Sequence, residues 1–443
     1  MERIILALDG MSPEKAIETA KDFSGKEIWG FKINDLLAWT NPQEIIPALK
    51  KYGKIMVDPK IHDIPQTDVN FLKAYVEAGA DFVTMHVSAG MDALLDAIEI
   101  TKNTSTKILA ITILTSLSEY ETNLIYGSCP KAKVLQFTRN AALAGAHGIV
   151  CSPEETEILN SRRELKNLLK VTPGIRPAGV SADDQQRIAD PKTAMKNGAD
   201  FIVIGRPILQ ASDPLEALSE TNKMIYEGLR EKLALDLFNI EKIKFGAFRL
   251  KLHDKNPSAP LSPIYLDLRN LPEKIDRLAG ELMAEQVKDF NDYTYVIGIP
   301  NAGEPFARVL IDLTEGKFLE RLSKVETTTG RYITKSAHFS RYDAEARQKI
   351  NAKGLLVDDL ITQADSKLEA LNVLNNEMNI HTDTVLVLVD REQGGKEQLE
   401  KKGYKLKSVF SLTHDLLPIY VSHKKISREK AQEVIKYIEQ NQA

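Results

Sequence analysis

Eight short apolar runs alternate with amphipathic stretches over the first 230 residues, and this alternation constrains the fold more than any other feature. Aliphatic runs of this kind are typical of parallel strands that are buried on both faces. Eight such βα units predict a (β/α)8 barrel, with a doubly wound open sheet as the alternative. The runs are RIILALD (3–9), EIWGFKI (27–33), KIMVDPKI (54–61), DFVTMHV (81–87), KILAITIL (107–114), HGIVCS (147–152), LKVTPGI (169–175) and DFIVIG (200–205).

Polar residues gather where these runs end. A (β/α)8 barrel carries its chemistry at the carboxyl ends of its strands. We therefore expect the functional site at that face. The polar residues concerned are Asp9, Lys32, Asp58, Lys60, Arg176 and Arg206.

The pattern changes after residue 230, so we predict domains at 1–230 and 231–443. The second part has fewer strand-like runs, separated by helical patterns, which indicates an α/β domain with a parallel sheet. Residues 316–352 show weak periodicity and predict a lid or an active-site loop. The clearest later strands are 293–300, 354–360 and 382–390, with helical patterns at 271–290 and 366–379.

Composition excludes several classes of protein. The 443 residues carry 58 Lys and Arg against 62 Asp and Glu, a net charge of −4, which argues against bulk binding of nucleic acid or a membrane surface. The sequence contains no run of 18 apolar residues, so no membrane span is expected. Two cysteines and an N-terminus unlike a signal peptide lead us to expect a cytoplasmic protein.

The third run carries an unusual set of charges. Strand alternation would place Asp58, Lys60 and His62 on one face, with Asp63 at or past the strand end. Lys32 on the preceding run can lie beside Asp58. A solvated edge strand would explain the charges, but a barrel has no such edge, and buried charges must be paired. The segment therefore favours an alternating array that keeps a lysine protonated in a dry site.

Several short motifs occur along the first part of the chain. They are LALD (6–9), D-x-K-x-x-D (58–63), LTS (114–116), TPGIRP (172–177), the downstream Gln185 and IGRPI (204–208). Together they resemble the orotidine 5′-phosphate decarboxylase family over essentially all of residues 1–230. D-x-K-x-x-D alone also occurs in metal-dependent sugar-phosphate enzymes, which lack the other motifs. We therefore rank such an enzyme, or a pure binding protein, below a decarboxylase.

The resemblance implies a role for each matching residue. Lys60 would protonate C6 of the pyrimidine, Asp58 would crowd the departing carboxylate, and Lys32 and Asp9 would hold ribose hydroxyls. Decarboxylation would need no metal or organic cofactor. His62 and His86 are expected to be structural. Asp63, Ile64 and Thr67 would act across a dimer interface, Thr115 or Ser118 would contact the pyrimidine, and Gln185, Gly205 and Arg206, with Arg176 close by, would hold the 5′-phosphate.

The second part carries the motifs KFGAFRLK, SPIYLDLR, GIPNAGEPFA, LLVDDLITQADSK and VDREQGGKEQLEKKGYKLKSVFSL. Over most of residues 232–420 they resemble the orotate phosphoribosyltransferases, members of the type I phosphoribosyltransferase class. Mg²⁺ would accompany the diphosphate of the substrate, because hard oxygen ligands suit that ion. The implied contacts are Asp358 and Asp359 to ribose hydroxyls, Thr362 to the 5′-phosphate, Lys251 to the diphosphate, Lys324 in the catalytic loop and Arg391 to orotate.

This second part departs from its family's pattern in two loops. The phosphate loop reads Thr-Gln-Ala-Asp-Ser at 362–366, where the family has glycines that let backbone N–H groups approach phosphate. The catalytic loop, aligned at 323–330, keeps Lys324 but has Thr327 in place of a second lysine. An inactive module that serves dimerisation, regulation or stability is therefore the alternative.

The two resemblances together imply an enzyme of UMP biosynthesis. The second part would make orotidine 5′-phosphate from orotate and phosphoribosyl diphosphate, and the first would decarboxylate it. The alternative is a monofunctional decarboxylase with a non-catalytic second domain. The expected partners are these small molecules and further copies of the chain, as a homodimer or higher homo-oligomer.

Overall fold

The computed structural model describes residues 1–177, 187–249, 257–290, 292–314, 318–327, 330–335 and 352–441. It consists of two compact units, Met1–Lys232 and Leu233–Ala443. Gln185 and Lys251, both named above as site residues, lie outside the described residues.

The first unit is a closed barrel of eight parallel strands. Each strand pairs with the next along the chain, and β1 pairs with β8 to close the ring. The barrel prediction is confirmed, and the open-sheet alternative is wrong. The strands are β1 Ile4–Ala7, β2 Gly30–Ile33, β3 Lys54–Ile61, β4 Phe82–His86, β5 Lys107–Ile111, β6 Gly148–Val150, β7 Leu169–Thr172 and β8 Phe201–Ile204.

An apolar cluster fills part of the barrel interior. Trp29 and Phe82 stack there with ring centroids 4.3 Å apart. The ring of Phe201 meets each of them in a T-shaped arrangement. Inward-facing side chains of the strands complete the cluster. The polar side chains that point into the barrel lie nearer the carboxyl ends of the strands. The buried members are Ile5, Trp29, Met56, Phe82, Leu109, Val171 and Val203.

Helices follow the strands and begin at recognisable caps. Ser12, Asn41 and Asp190 each accept a backbone N–H at a helix start, and a proline follows each of them. Helix α10 crosses the division between the units. The helices are α1 Pro13–Asp22, α2 Pro42–Lys50, α3 Pro65–Glu77, α4 Met91–Thr101, α5 Glu119–Tyr126, α6 Pro130–Ala144, α7 Thr156–Asn160, α8 Pro191–Lys196, α9 Arg206–Leu209 and α10 Pro214–Asn239.

The second unit contains a two-stranded antiparallel sheet and a six-stranded sheet in the order β13-β12-β11-β14-β15-β16. Five strands of the larger sheet are parallel, but β13 runs antiparallel to β12, so the prediction of a parallel sheet is wrong at that edge. The strands are β9 Ile243–Phe248, β10 Ser262–Leu266, β11 Tyr295–Gly298, β12 Phe318–Thr327, β13 Gly330–Lys335, β14 Lys353–Ile361, β15 His381–Asp390 and β16 Lys405–Ser411.

The β12–β13 hairpin corrects the prediction of a long loop at 316–352. Leu322 and Ile333 bury their side chains in the core of this unit, while Lys324, Arg331 and Lys335 are polar. Polar residues such as Lys324, Arg331 and Lys335 interrupt the apolar pattern of this hairpin, which is why the sequence suggested a loop. Residues 336–351 lie outside the described part of the chain.

Helices flank the larger sheet. The helix predicted at 366–379 is α-helical only to Asn372 and continues as a π-helical segment over Val373–Glu377. Within the described residues, no helix is both long and apolar enough to cross a lipid bilayer. The helices are α11 Glu273–Gln286, α12 Glu304–Leu313, α13 Asp365–Asn372, α14 Gly395–Lys401, α15 Leu417–Ser422 and α16 Arg428–Gln440.

Candidate active site

A cavity of about 490 Å³ opens at the carboxyl end of the barrel strands. Charged side chains from β1, β2 and β3 occupy one side, and residues that follow β5, β7 and β8 occupy the other. Most of the residues predicted for the first site come together here. The lining residues are Ala7, Asp9, Lys32, Asn34, Met56, Asp58, Lys60, Ile111, Ile113, Leu114, Thr115, Ser116, Val150, Pro173, Gly174, Arg176, Val203, Gly205 and Arg206.

Two lysines and two aspartates form a chain of ion pairs along one wall. The Lys32 ammonium lies 2.6 Å from an Asp9 carboxylate oxygen and 3.4 Å from Asp58 Oδ2. The Lys60 ammonium lies 2.7 Å from the same Asp58 oxygen. The array Asp9–Lys32–Asp58–Lys60 contains Lys32, Asp58 and Lys60 as predicted. The alternation was expected to continue to Asp63, but Asp63 does not line the cavity, and Asp9 joins the array at its other end instead.

Burial differs along this array. The side chains of Lys32 and Asp58 are 7 % and 10 % exposed, whereas Lys60 is 34 % exposed and faces the cavity. Burial alone would lower the pKa of Lys32, but Asp58 and Asp9 outweigh it and raise that pKa. Burial would likewise raise the pKa of Asp58, but Lys32 and Lys60 outweigh it and lower that pKa. Both groups are therefore held charged.

The backbone of β3 is irregular where it carries the array. Lys60 has φ +52°, in the left-handed region, and the pairing of β3 with β4 shifts between Val57 and Ile61. Strict alternation fails at this point, so His62 does not share a face with Asp58 and Lys60, contrary to the prediction. His62 is exposed and lies past the end of the strand.

The two histidines near the array do not line the cavity. The rings of His62 and His86 meet edge to face with centroids 5.4 Å apart. Burial, with smaller effects of His62 and Lys60, lowers the pKa of His86 to about 4. His86 is therefore neutral at physiological pH, as suits a structural residue.

The loop after β5 supplies the wall that faces the array. Thr115 lines the cavity and is 7 % exposed. Ser118 does not line it, because its side chain caps α5 and exchanges hydrogen bonds with Glu121 in a capping box. The suggestion that Ser118 contacts a ligand is therefore not supported, and Ser116 is the serine of this loop that reaches the cavity.

Residues after β7 and β8 form the basic end of the cavity. Arg176 is 8 % exposed and donates to the carbonyl of Ile175 at 3.0 Å, while Arg206 begins α9 and is exposed. Gly205 approaches β1 so closely that a Cβ there would lie 3.0 Å from the Ala7 carbonyl oxygen. Arginine geometry suits phosphate oxygens.

A buried ion pair that the sequence analysis missed braces two of these loops. Arg187 pairs with Glu155 and donates to the carbonyls of Ile113, at 3.3 Å, and Leu114, at 2.9 Å. It thereby ties the segment after β7 to the residue just before Thr115. Burial outweighs the effect of Arg187 and raises the pKa of Glu155 to about 7.

Three residues predicted to act across a dimer lie away from this cavity. Asp63 and Ile64 are exposed, Ile64 by 67 %, and Thr67 is partly buried. None of the three is among the lining residues. Their predicted role in a partner subunit's site stays a prediction.

In the second unit, Asp358 is paired in a way that the sequence did not suggest. Lys367, in the first turn of α13, donates to Asp358 Oδ2 at 2.5 Å and to the Leu360 carbonyl at 2.7 Å. The two side chains are 6 % and 5 % exposed. Burial, and then Asp358, raise the pKa of the neighbouring Asp359 to about 7.

The other residues named for a second site fall into two groups. Thr362 follows β14 directly, and Arg391 follows the adjacent β15, so they lie at the same sheet edge as the aspartates. Arg391 is 7 % exposed, and its Nε and Nη2 atoms have no hydrogen-bond partner among the described residues. Lys324 lies within β12, opposite Ile333, rather than in a loop.

Comparisons with known proteins match the first unit. The profile of the family described as "Orotidine 5'-phosphate decarboxylase / HUMPS family" matches residues 2–221. A curated orotidine 5′-phosphate decarboxylase of Campylobacter fetus subsp. fetus is 37 % identical over 229 residues, which cover 51 % of this chain and 98 % of the relative. One from Thermosynechococcus vestitus is 37 % identical over 221 residues, 49 % of this chain and 93 % of the relative.

One solved structure aligns with both units. A UMP synthase from Leishmania donovani covers 99 % of this chain and 96 % of its own, at 20 % identity and a TM-score of 0.48.

Proposed function

Because the chain belongs to the orotidine 5′-phosphate decarboxylase family, we propose that its barrel converts orotidine 5′-phosphate to UMP and carbon dioxide. The observation that carries the proposal is the buried Lys32–Asp58–Lys60 array with Lys60 facing the cavity. The array holds a carboxylate and an ammonium side by side, an arrangement that supports the loss of a substrate carboxylate at this point.

The proposed reaction needs only charge stabilisation and a proton. The C6–carboxylate bond breaks, its electron pair stays on C6, and carbon dioxide leaves. The Lys60 ammonium stabilises the charge on C6 and then transfers a proton to it; solvent reprotonates the amine. Unit charges about 4 Å apart attract by about 4 kcal/mol at an effective dielectric of 20, so a preorganised ammonium can lower the barrier substantially. We propose that no metal or organic cofactor takes part.

Asp58 is proposed to favour bond cleavage by repulsion. Its carboxylate is held charged by Lys32 and Lys60, and it lies on the cavity wall beside Lys60. A substrate carboxylate placed there would meet a like charge, which its departure relieves.

The remaining cavity residues are proposed to bind the rest of the nucleotide. Asp9 and Lys32 would contact ribose hydroxyls, Thr115 the pyrimidine, and Arg176, Gly205 and Arg206 the 5′-phosphate. Their positions around one cavity support this assignment. Binding of the distant phosphate would help to orient the ring against Lys60. Gln185, outside the described residues, keeps its proposed phosphate contact.

A homodimer is part of the proposal. Asp63, Ile64 and Thr67 are not at this chain's cavity, and Ile64 and Phe71 expose 67 % and 50 % of their area. Exposed apolar side chains of this size suit a surface that a second copy covers. We also propose a cytoplasmic location on the basis of the two unpaired cysteines, Cys129 and Cys151.

The test is decarboxylation by the full-length Lys60→Ala variant. We expect at least a thousandfold loss of kcat, because both the charge and the proton source are removed. Lys102→Ala, which removes an exposed lysine paired with Glu99, is the control. Unchanged turnover by Lys60→Ala would refute the assignment, and loss of wild-type activity in EDTA would favour a metal-dependent reaction instead.

For the second unit, we propose orotate phosphoribosyltransferase activity. The adjacent ends of β14 and β15 support it, because they bring Asp358, Asp359, Thr362 and Arg391 to one edge of the sheet. Mg²⁺ would enter with the diphosphate substrate. The closed Lys367–Asp358 pair favours the alternative, an inactive module.

Orotate consumption distinguishes the two possibilities. Full-length protein is mixed with orotate, phosphoribosyl diphosphate and Mg²⁺, and the Lys60→Ala variant is used so that orotidine 5′-phosphate accumulates. Accumulation supports the bifunctional enzyme. No consumption at high enzyme concentration would leave a monofunctional decarboxylase.

A further inference from the structure

Thr84 lies in the middle of β4 and is fully buried, with no exposed surface. It does not line the cavity. A buried hydroxyl needs hydrogen-bond partners, and both partners of Thr84 belong to the array. Its hydroxyl donates to Asp58 Oδ1 at 2.8 Å and accepts the backbone N–H of Lys60 at 3.1 Å.

The second of these bonds lies where the pairing of β3 with β4 is interrupted. Met56 and Val57 pair with successive residues of β4, and the next pairing joins Ile61 to Met85. Three residues of β3, numbers 58–60, therefore lie opposite the single residue Thr84. The side chain of Thr84 accepts the Lys60 N–H within this irregular stretch.

This bulge holds Lys60 in a conformation that is costly for a residue with a side chain. The left-handed region, in which Lys60 has φ +52°, disfavours residues other than glycine because Cβ crowds the backbone. Such conformations persist only where the surroundings enforce them. The hydrogen bond from Thr84 is one such restraint on the lysine that faces the cavity.

The first bond orients the Asp58 carboxylate. Oδ1 accepts from Thr84, which leaves Oδ2 to face the ammonium groups of Lys60 and Lys32. Without a partner on Oδ1, the carboxylate could rotate about its terminal torsion and redistribute its contacts with the two lysines.

We propose that Thr84 is a positioning residue for decarboxylation: one buried hydroxyl fixes both the carboxylate of Asp58 and the backbone of Lys60. The inference rests on the proposed function of the barrel. It adds a residue outside the cavity to the groups on which turnover depends.

The test compares Thr84→Val with Thr84→Ser in the full-length chain. Valine keeps the shape and loses the hydroxyl, whereas serine keeps the hydroxyl. We expect Thr84→Val to lower kcat by about 10- to 100-fold, since misplaced groups cost that much, with KM changed by less than about threefold. Thr84→Ser should stay within about threefold of the wild-type kcat.

Thr106→Val is the matched control. Thr106 is also buried, at 2 % exposure, and donates its hydroxyl to the Ala80 carbonyl at 2.7 Å without touching the array. Its kcat should equal that of the wild type. Thermal unfolding of all three variants separates positioning from general damage.

Three outcomes would overturn the inference. Thr84→Val could keep the wild-type kcat, Thr84→Ser could fail as badly as valine, or Thr106→Val could lose as much activity as Thr84→Val. An inactive wild-type protein would instead refute the proposed function. UMP binding by the same variants then tests positioning separately: Thr84→Val should bind within about threefold of wild type.

Discussion

Both units bury a lysine against an aspartate, but they use the pair in opposite ways. In the barrel, Asp58 is shared between Lys32 and Lys60, and the exposed end of Lys60 faces a cavity. In the second unit, Lys367 and Asp358 are both about 95 % buried, and Lys367 also donates a hydrogen bond to the Leu360 carbonyl.

The difference shows that charge type alone does not make a binding site. An array that lines a cavity can interact with a ligand without breaking its internal ion pairs. A closed pair must first be broken, and breaking a buried pair leaves an uncompensated charge. The charged side chains of the barrel are accessible to a ligand, whereas a ribose in the second unit would have to compete with Lys367 for Asp358.

The largest expected effect on decarboxylation comes from removing Asp58, and the corresponding change at Asp358 serves as its control. Asp58→Asn should lower the kcat of decarboxylation by about a thousandfold, because it removes the charge that faces Lys60. Asp358→Asn should leave that kcat unchanged. Steady-state kinetics on the full-length variants measures both, and an equal loss in the two variants would contradict the distinction.

Removing the lysine of the closed pair tests stability instead. Lys367→Met leaves Asp358 buried without a countercharge and should destabilise the second unit by about 3–5 kcal/mol. Calorimetric unfolding of the full chain measures this, with decarboxylation as the check that the barrel stays folded. The double variant Lys367→Met, Asp358→Leu should recover most of the loss; a single-variant cost below about 1 kcal/mol would contradict the expected burial penalty.

Asp58 in the barrel and Asp359 in the second unit predict opposite responses to pH. The pKa of Asp359 is raised to about 7, so the folded state keeps a proton that the unfolded state loses near pH 4. The stability contributed by this group is thus present at low pH and falls as pH rises towards 7. The pKa of Asp58 is lowered, so its contribution is present above the unfolded value and is lost as pH falls through the folded value.

Asp359→Asn should therefore flatten the pH dependence of unfolding of the second unit between pH 4 and 7. Melting temperatures at several pH values across this range provide the measurement. Asp365→Asn, at an exposed acid of the same unit, is the control. An unchanged profile in Asp359→Asn would show that the group does not keep its proton.

The smallest effect concerns helix caps, one in each unit. Ser118 caps α5 and Ser427 caps α16, and each accepts a backbone N–H. Alanine at either position should cost about 1 kcal/mol of unfolding free energy and leave kcat and KM for decarboxylation unchanged. A fivefold rise of KM in Ser118→Ala would instead restore Ser118 as a ligand contact.

The sequence was informative where apolar residues recur in regular strands and polar residues follow at the strand ends. The eight apolar runs predicted the closed barrel, and Asp58, Lys60 and Lys32 were placed together correctly because parallel strands end at one face. The sequence was less informative for Thr84 and Arg187, because each gains its role through partners distant in sequence. Lys367 is only nine residues from Asp358, but the turn between β14 and α13 decides whether the two side chains meet. A buried threonine in a strand looks like any other strand residue until its neighbour across the sheet is known.

Two other sequence predictions failed because the apolar alternation of a strand is interrupted. His62 left the predicted face because the bulge around Lys60 interrupts alternation. The β12–β13 hairpin was taken for a loop because polar residues such as Lys324, Arg331 and Lys335 interrupt its apolar pattern. Alternation of apolar and polar residues identifies a regular strand with one buried face. The bulge interrupts this alternation at Lys60, and polar residues obscure it in the hairpin.

The left-handed backbone at Lys60 also bears on how this barrel can be re-engineered. Folding alone would favour glycine at such a position, whereas the proposed chemistry requires a long, charged side chain there. Selection for heat tolerance, without selection for turnover, would therefore be expected to replace Lys60 early. At this one position, catalytic activity and stability of the fold favour different residues, which is a local instance of the trade-off between activity and stability.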